Sequence, residues 1–146
     1  MSGSPICVDA SFLIRLLESG DPDAAVVRLW VEWHQAGRSL VAPTLLYYEV
    51  ANALHRYTVH GELLPQEAAD MLDIALRLGI TLYGDAALHH RALQLAAQLS
   101  LPAVCDAHYL ALAERLEAEF WTADRRLVEA VQAELPWVHW VEQEER

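Results

Sequence analysis

Near each end of this chain a short apolar run stops at an aspartate and gives way to a helical pattern. Ile6-Cys7-Val8 leads into Asp9, followed by Phe12, Leu13, Leu16 and Leu17. Glu119-Phe120-Trp121 leads through Thr122 to Asp124 and a helix starting near Arg125. Runs this short read as strands buried on both faces, whereas apolar positions three and four apart read as one face of a helix. A buried strand that passes straight into a helix is half of a parallel strand–helix–strand unit. If both strands run the same way, both aspartates leave the same edge of one sheet. Sites in parallel sheets gather at that carboxyl edge.

The sequence between these runs repeats the alternation. Gly20-Asp21-Pro22 stops the first helix, and a second spans about Asp23 to Gln35 with Gly37 ending it. Ser39 to Ala42 is a strand, and Pro43-Thr44 starts a long helix through about Val59. Pro65 starts the next helix, to about Leu78, and Gly79 precedes the strand Ile80 to Tyr83. Asp85 to Leu99 is helical. Pro102 precedes a helix opened by Asp106, with Leu110, Ala113 and Leu116 at helical spacing. After Asp124 a helix runs to about Glu134, and the alternating Trp137 to Val141 gives the last strand. This pattern predicts an α/β fold: a central, mainly parallel, five-stranded sheet with helices on both faces. No repeat or linker divides residues 1–146, so they are expected to form a single domain, with 1–4 and the charged 142–146 fraying.

The formal charge is −11, from 10 arginines and 21 acidic residues, and the chain has no lysine. That excludes Schiff-base chemistry and the phosphate-binding lysine of P-loop enzymes. An acidic chain is no generic nucleic-acid coat, but bound cations could offset charge in a metal-dependent nuclease. Ala, Val, Ile, Leu, Met, Phe, Trp, Cys and Gly make up 80 of the 146 residues, about 55%, where soluble domains carry about 45–50%. The surplus predicts apolar surface covered by a partner, with Phe12, Leu16, Val27, Trp30 and Tyr47-Tyr48 as candidates. No run approaches the ~18 residues of a membrane span. The first residues lack the pattern of a signal peptide, so the reading is cytoplasmic. Cys7 and Cys105 are then expected to be reduced, buried thiols.

Asp9, Asp106 and Asp124 each fit a helix N-cap, for which aspartate is favoured. Glu49 does not fit so simply. Its helix carries Leu46, Val50, Ala53, Leu54 and Tyr57 as an apolar stripe, and Glu49 lies on the edge of that stripe. An inward carboxylate is unfavourable by several kcal/mol, roughly, unless compensated. Leu45, Leu46, Asn52 and Ala53 occupy the places one turn away, so the helix offers no cation. That leaves a bound metal or solvent in a cleft. Four acids from four segments, with water, make an all-oxygen site suited to Mg²⁺ or Mn²⁺ rather than zinc. His89, His90 and His108 are expected to be solvated or packing residues.

The stretches ICVDAS, PTLLYYEVANAL, CDAHYLALA and WTADRRL resemble, in order and over nearly the whole chain, the PIN-domain ribonucleases. The closest resemblance is to the VapC-type toxins of toxin–antitoxin pairs. The resemblance implies a metal-dependent endoribonuclease that hydrolyses RNA phosphodiesters with a metal-activated water. Asp9, Glu49, Asp106 and Asp124 would be its catalytic and metal-binding acids, with Mg²⁺ or Mn²⁺ as cofactor. Ser11 and Thr122 would be hydroxyls supporting these ligands, and Asn52 a further support. It also implies a homodimer inhibited by a small cognate antitoxin. Two other readings stay open at this point: a non-catalytic acidic module that binds a partner, and a metal-dependent phosphatase. Haloacid-dehalogenase-like phosphatases and response-regulator receivers both need a lysine. The former also need a second aspartate where Ser11 stands, and the latter a pair of early acids.

Overall fold

The structure is a computed structural model that describes residues 3–145. In chain order the elements are β1 (Ile6–Val8), α1 (Ala10–Glu18), α2 (Ala25–Gln35), β2 (Leu40–Pro43), α3 (Leu45–Val59) and α4 (Pro65–Leu76). Then follow β3 (Thr81–Tyr83), α5 (Ala86–Gln98), α6 (Cys105–Leu116), β4 (Glu119–Thr122), α7 (Arg125–Val131) and β5 (Val138–Trp140). A short 3-10 helix, Val141–Glu145, closes the described chain.

The strands form one sheet in the order β3-β2-β1-β4-β5, and every pairing is parallel. β1 is central: Cys7 stands beside Val41 on one side and Phe120 on the other. Its residues Ile6, Cys7 and Val8 are fully buried, as a strand covered on both faces must be. From β1 the chain steps outward through β2 to β3, then crosses back to β4 on the other side. Right-handed crossovers in opposite directions place their helices on opposite faces of the sheet. The reversal falls between β1 and β4, which is the switch point where parallel sheets open a crevice.

Packing explains where the apolar surplus goes. Phe12 stacks on Trp33 at 5.4 Å, Trp30 stands edge-on to Trp33, and Trp33 meets Trp121. Phe12 is buried and Trp30, Leu16, Val27 and Tyr47 are half-buried against the core. Of the surfaces expected from sequence to face a partner, only Tyr48 is fully open, at 76% exposure. Other large apolar residues stand exposed instead, among them Ile74 and Leu76 on α4 and Leu93 on α5. No described helix is long and apolar enough to cross a membrane.

Several boundaries differ from the sequence reading. Pro43 ends β2 instead of opening α3, since it pairs in register with Tyr83 of β3. Thr44 N–H continues the ladder to the Tyr83 carbonyl. α2 begins at Ala25, since Asp21 and Asp23 close a local turn ahead of it. Cys7 is buried, but Cys105 is exposed at the start of α6. Val141 is buried, and Glu142, the first residue of the stretch expected to fray, pairs with Arg15. Ser4 is held by Arg38, whose Nε donates to its carbonyl at 2.6 Å. Residues 1, 2 and 146 lie outside the described residues.

Phe120 is fully buried in β4, with its ring 6.1 Å from that of Tyr109. Phe120→Ala is expected to lower unfolding free energy by about 3–5 kcal/mol. Leu93→Ala, on exposed helix surface, is expected to stay within about 0.5 kcal/mol of wild type. Urea denaturation of the two variants checks both values.

Candidate active site

The carboxyl ends of β1 and β4 are tied together through one side chain. Asp9 follows β1 and caps α1, its Oδ1 accepting from the Phe12 N–H at 3.0 Å. Ser11 Oγ donates to the same oxygen at 2.7 Å, and Thr122 Oγ1 donates to Oδ2 at 2.6 Å. Each hydroxyl also accepts a backbone N–H from the turn after β4: Ala123 to Ser11 and Asp124 to Thr122, both at 3.0 Å. Two relays therefore run from backbone N–H through hydroxyl to carboxylate, and chains of this kind polarise one another favourably. With both hydroxyl protons directed at Asp9, the 3.1 Å Ser11–Thr122 contact brings two oxygens together with no proton between them.

The sequence-predicted acids converge on one cleft of about 520 Å³. Asp9, Glu49, Asp106 and Asp124 all line it, together with Ser11. Asp124 caps α7, its Oδ1 accepting from the Arg126 and Leu127 N–H groups. Capping and site membership are thus compatible, since the capping bonds use one oxygen of each carboxylate. Asp106 is different: Val104 is the N-cap of α6, and Asp106 stands within the first turn. Thr122 is completely buried and reaches the site through Asp9. Asn52 is exposed on α3 and does not line the cleft. On that helix Glu49, Ala53 and Arg56 face the cleft, a spacing of four and then three residues.

The electrostatics carry the mark of crowded acids. Burial pushes the Asp9 carboxyl up to about 6, opposed in part by the bonds from Thr122, Phe12 and Ser11, while nearby Asp106 raises it further. Asp106 is raised as well, first by burial and then by the charges of Asp124 and Glu49. Among the described residues, no three His, Cys, Asp or Glu side chains stand close enough to ligate one ion. The acids ring an open cleft instead of forming a closed cage. An all-oxygen, acid-rich, open site suits Mg²⁺, which keeps several of its waters and needs only one or two carboxylates.

Tyr109 was not foreseen. Its hydroxyl donates to Glu49 Oε1 at 2.6 Å, and the ring is buried. Burial and the Glu49 charge hold this phenol far above its usual range, so it remains a donor. The compensation sought for an inward Glu49 is therefore a tyrosine, together with the cleft. The signal was present in the sequence: Tyr109 lies three residues after Asp106, on the same side of α6. Arg15 and Arg56 also line the cleft. Arg15 pairs with Glu142, whereas Arg56 makes no ion pair among the described residues. The imidazoles of His89 and His108, expected to be solvated or packing, bond to each other at 2.8 Å outside this cleft.

Comparison with known proteins sets this geometry in a family. A model described as the PIN domain matches residues 6–132. Ribonuclease VapC9 of Mycobacterium tuberculosis is 33% identical over 132 residues, which span 90% of this chain and 94% of that protein. Among solved structures, PAE2754 from Pyrobaculum aerophilum superposes with a TM-score of 0.72 at 23% identity, covering 97% of this chain and 92% of its own. A chain of a toxin–antitoxin complex from Klebsiella pneumoniae gives 0.65 at 18% identity, covering 92% and 95%. These structural likenesses bear on the fold.

The elevated carboxyl of Asp9 has a consequence for metal-free stability. Its folded value, about 6, lies above the ordinary 3.8, so the folded state holds this proton longer than the unfolded chain does. The group therefore carries no penalty below about pH 4, and its penalty grows to on the order of 3 kcal/mol as pH rises through about 6. In EDTA, the stability of Asp9→Asn relative to wild type is expected to increase across that interval. Urea denaturation at a series of pH values measures it; a constant difference would show that Asp9 is not protonated in this way.

Proposed function

The chain belongs to the PIN-domain family, and from that premise we propose that it is an endoribonuclease, the toxin of a toxin–antitoxin pair. The observation that carries this reading is the convergence of Asp9, Glu49, Asp106 and Asp124, from four separate segments, on one cleft at the sheet's switch point. The similarity to ribonuclease VapC9 supports RNA as the substrate, and the absence of any lysine leaves the lysine-dependent phosphatases without their chemistry.

In this reading one or two of Asp9, Asp106 and Asp124 would hold Mg²⁺ or Mn²⁺ directly, and the remaining acids, with Glu49, would reach it through its waters. When bound, such an ion acidifies water and offsets the charge of the scissile phosphate. The protein's own contribution is orientation. Ser11 and Thr122 fix both oxygens of Asp9 and so fix its lone pairs relative to the turn that carries Asp124. Tyr109 occupies Oε1 of Glu49, leaving Oε2 to orient the attacking water or accept its proton. Arg56 and Arg15 supply positive charge at the same cleft, where an RNA backbone needs it.

The similarity to a chain of a toxin–antitoxin complex supports an antitoxin partner. A basic antitoxin side chain placed among the four acids would compete with both metal and RNA. We further propose that the protein is cytoplasmic and forms a homodimer. The exposed Ile74 and Leu76 of α4 are better candidates for that contact than the α1–α2 surface, whose aromatics are spent in the core.

The principal test is cleavage of a single-stranded RNA in excess EDTA and after addition of Mg²⁺ or Mn²⁺. Cleavage is expected only with the ion, and equal rates under both conditions would overturn the metal mechanism. Glu49→Gln keeps shape and removes charge, and is expected to lower kcat/KM by about 10²-fold or more with little change in melting temperature. Tyr109→Phe tests the same carboxylate from the other side and should produce a smaller loss of the same sign. Co-expression with the product of an adjoining small reading frame is expected to yield an inactive complex. A protein that stays monomeric and fully active in its presence would remove the antitoxin and the dimer together.

A further inference from the structure

A second cavity, of about 250 Å³, lies directly beside the acidic cleft. Two pairs of sequence neighbours fix the relation between them. Tyr48 lines this cavity and Glu49 the cleft; Cys105 lines this cavity and Asp106 the cleft. The two hollows therefore flank the same turn of α3 and the same first turn of α6. Tyr83, the last residue of β3, also lines the second cavity. It thus opens at the carboxyl edge that carries the acids, on the β2–β3 side of β1.

Its chemistry differs from that of the cleft. No Asp, Glu or Arg lines it. The walls include the rings of Tyr48, Tyr83, His89 and His108, and Tyr48 and His89 are exposed. His108 Nδ1 lies 2.9 Å from the Val104 carbonyl, which can only accept, so that nitrogen carries the proton. In the neutral pair, His108 Nε2 then accepts from His89 Nδ1–H at 2.8 Å, and Nε2 of His89 remains an acceptor. The result is a small aromatic hollow without carboxylate or arginine, to which the His89–His108 pair adds polar ring nitrogens. It is smaller than the ~300–1,000 Å³ of a drug-sized ligand site.

We propose that this cavity receives an unpaired nucleobase of the RNA strand, from a nucleotide adjoining the scissile phosphate; the proposal rests on the endoribonuclease reading above. A strand whose phosphate is held at the acids must leave the cleft along the carboxyl edge. On one side the cleft continues, through Glu18 and Tyr57, into a hollow that also carries Glu62. Arg15 and Arg56 line the cleft itself, but that further hollow has Glu18 and Glu62 and no arginine, so it repels a continuing phosphodiester backbone. On the other side lies the cavity free of carboxylates, whose aromatic residues offer the stacking surface by which proteins hold splayed-out bases. Charge turns the strand away from the first side, and stacking takes its base on the second.

The test uses the whole protein and a single-stranded RNA with one mapped cleavage site. Tyr48→Ala and His89→Ala alter exposed residues and leave the core packing in place. Each is expected to lower kcat/KM by about tenfold, the scale of one lost base stack. Removing the base from one nucleotide next to the cleavage site should lower wild-type kcat/KM by a similar factor. The same abasic RNA should cause no further loss in Tyr48→Ala, because variant and substrate then lack the same contact. Wild-type kcat/KM in the variants, or losses that multiply, would overturn the proposal. So would a change of oligomeric state in Tyr48→Ala without a change in kcat/KM, which would make this face a protein contact. A binding measurement keeps the two readings apart. In EDTA, the same RNA is expected to shift the His89 and His108 ring signals in NMR spectra, and Tyr48→Ala to weaken its binding. Shifted signals from a protein that never cleaves RNA would uphold the base site and reject the nuclease; cleavage with unshifted signals would do the reverse.

Discussion

The rest of the site depends on one buried carboxylate. Asp9 is 5% exposed and would be strongly disfavoured there without partners. It is kept by three donors, and two of these, Ser11 and Thr122, are themselves anchored by N–H groups of the turn after β4. The carboxylate thus fastens together the carboxyl ends of two parallel strands that lie 111 to 113 residues apart in sequence through these contacts. This is the place where the chain has reversed its direction across the sheet. The crevice that any such reversal opens is here floored by an acid and held to a fixed width by two hydroxyls.

Around that point the other acids are spaced by competing demands. Burial first, and then the charge of neighbouring acids, raises both Asp9 and Asp106, and no described trio closes into a cage. Local structure stops the acids from drifting further apart. Asp124 is held by the first N–H groups of α7, and Glu49 is held by the Tyr109 hydroxyl. Asp9, Asp124 and Glu49 therefore each have a structural duty or anchor that positions them. The strain of assembling like charges is carried by helix caps and hydroxyls, groups the fold needs in any case.

The apolar surplus and the charge balance sort in the same way. Aromatic residues of α1 and α2 fill the space against β4 through Phe12, Trp33 and Trp121. What remains exposed is scattered from Val31 on α2 through Val59, Ile74, Leu76 and Leu82 to Leu93 on α5, with Tyr48 standing beside the cleft. Arginines are the only strong cations in this chain, and Arg91, Arg115 and Arg125 are spent in surface ion pairs, which add little stability. The two that line the cleft come from α1 and α3, opposite faces of no motif that a linear scan would join.

Sequence by itself determined the fold class, the approximate elements and the acids at issue. Those features are written locally: burial on both faces makes a strand a short apolar run, and amphipathic spacing marks a helix. An acid at a strand exit or on an apolar stripe is visible without knowing its neighbours. What escaped were contacts and surfaces. That Ser11 and Thr122 share Asp9, and that Tyr109 answers Glu49, depends on a strand order that sets β4 beside β1. Asn52 lay as near Glu49 in sequence as Arg56 lay far, yet α3 turns Asn52 outward and Arg56 into the cleft. The pairing of His89 with His108 joins two helices no periodicity relates, and the anchoring of Glu142 overrides a charged composition. These outcomes were decided by tertiary structure alone, because a side chain's partners are set by which segments the sheet brings together, and no local pattern encodes that distance.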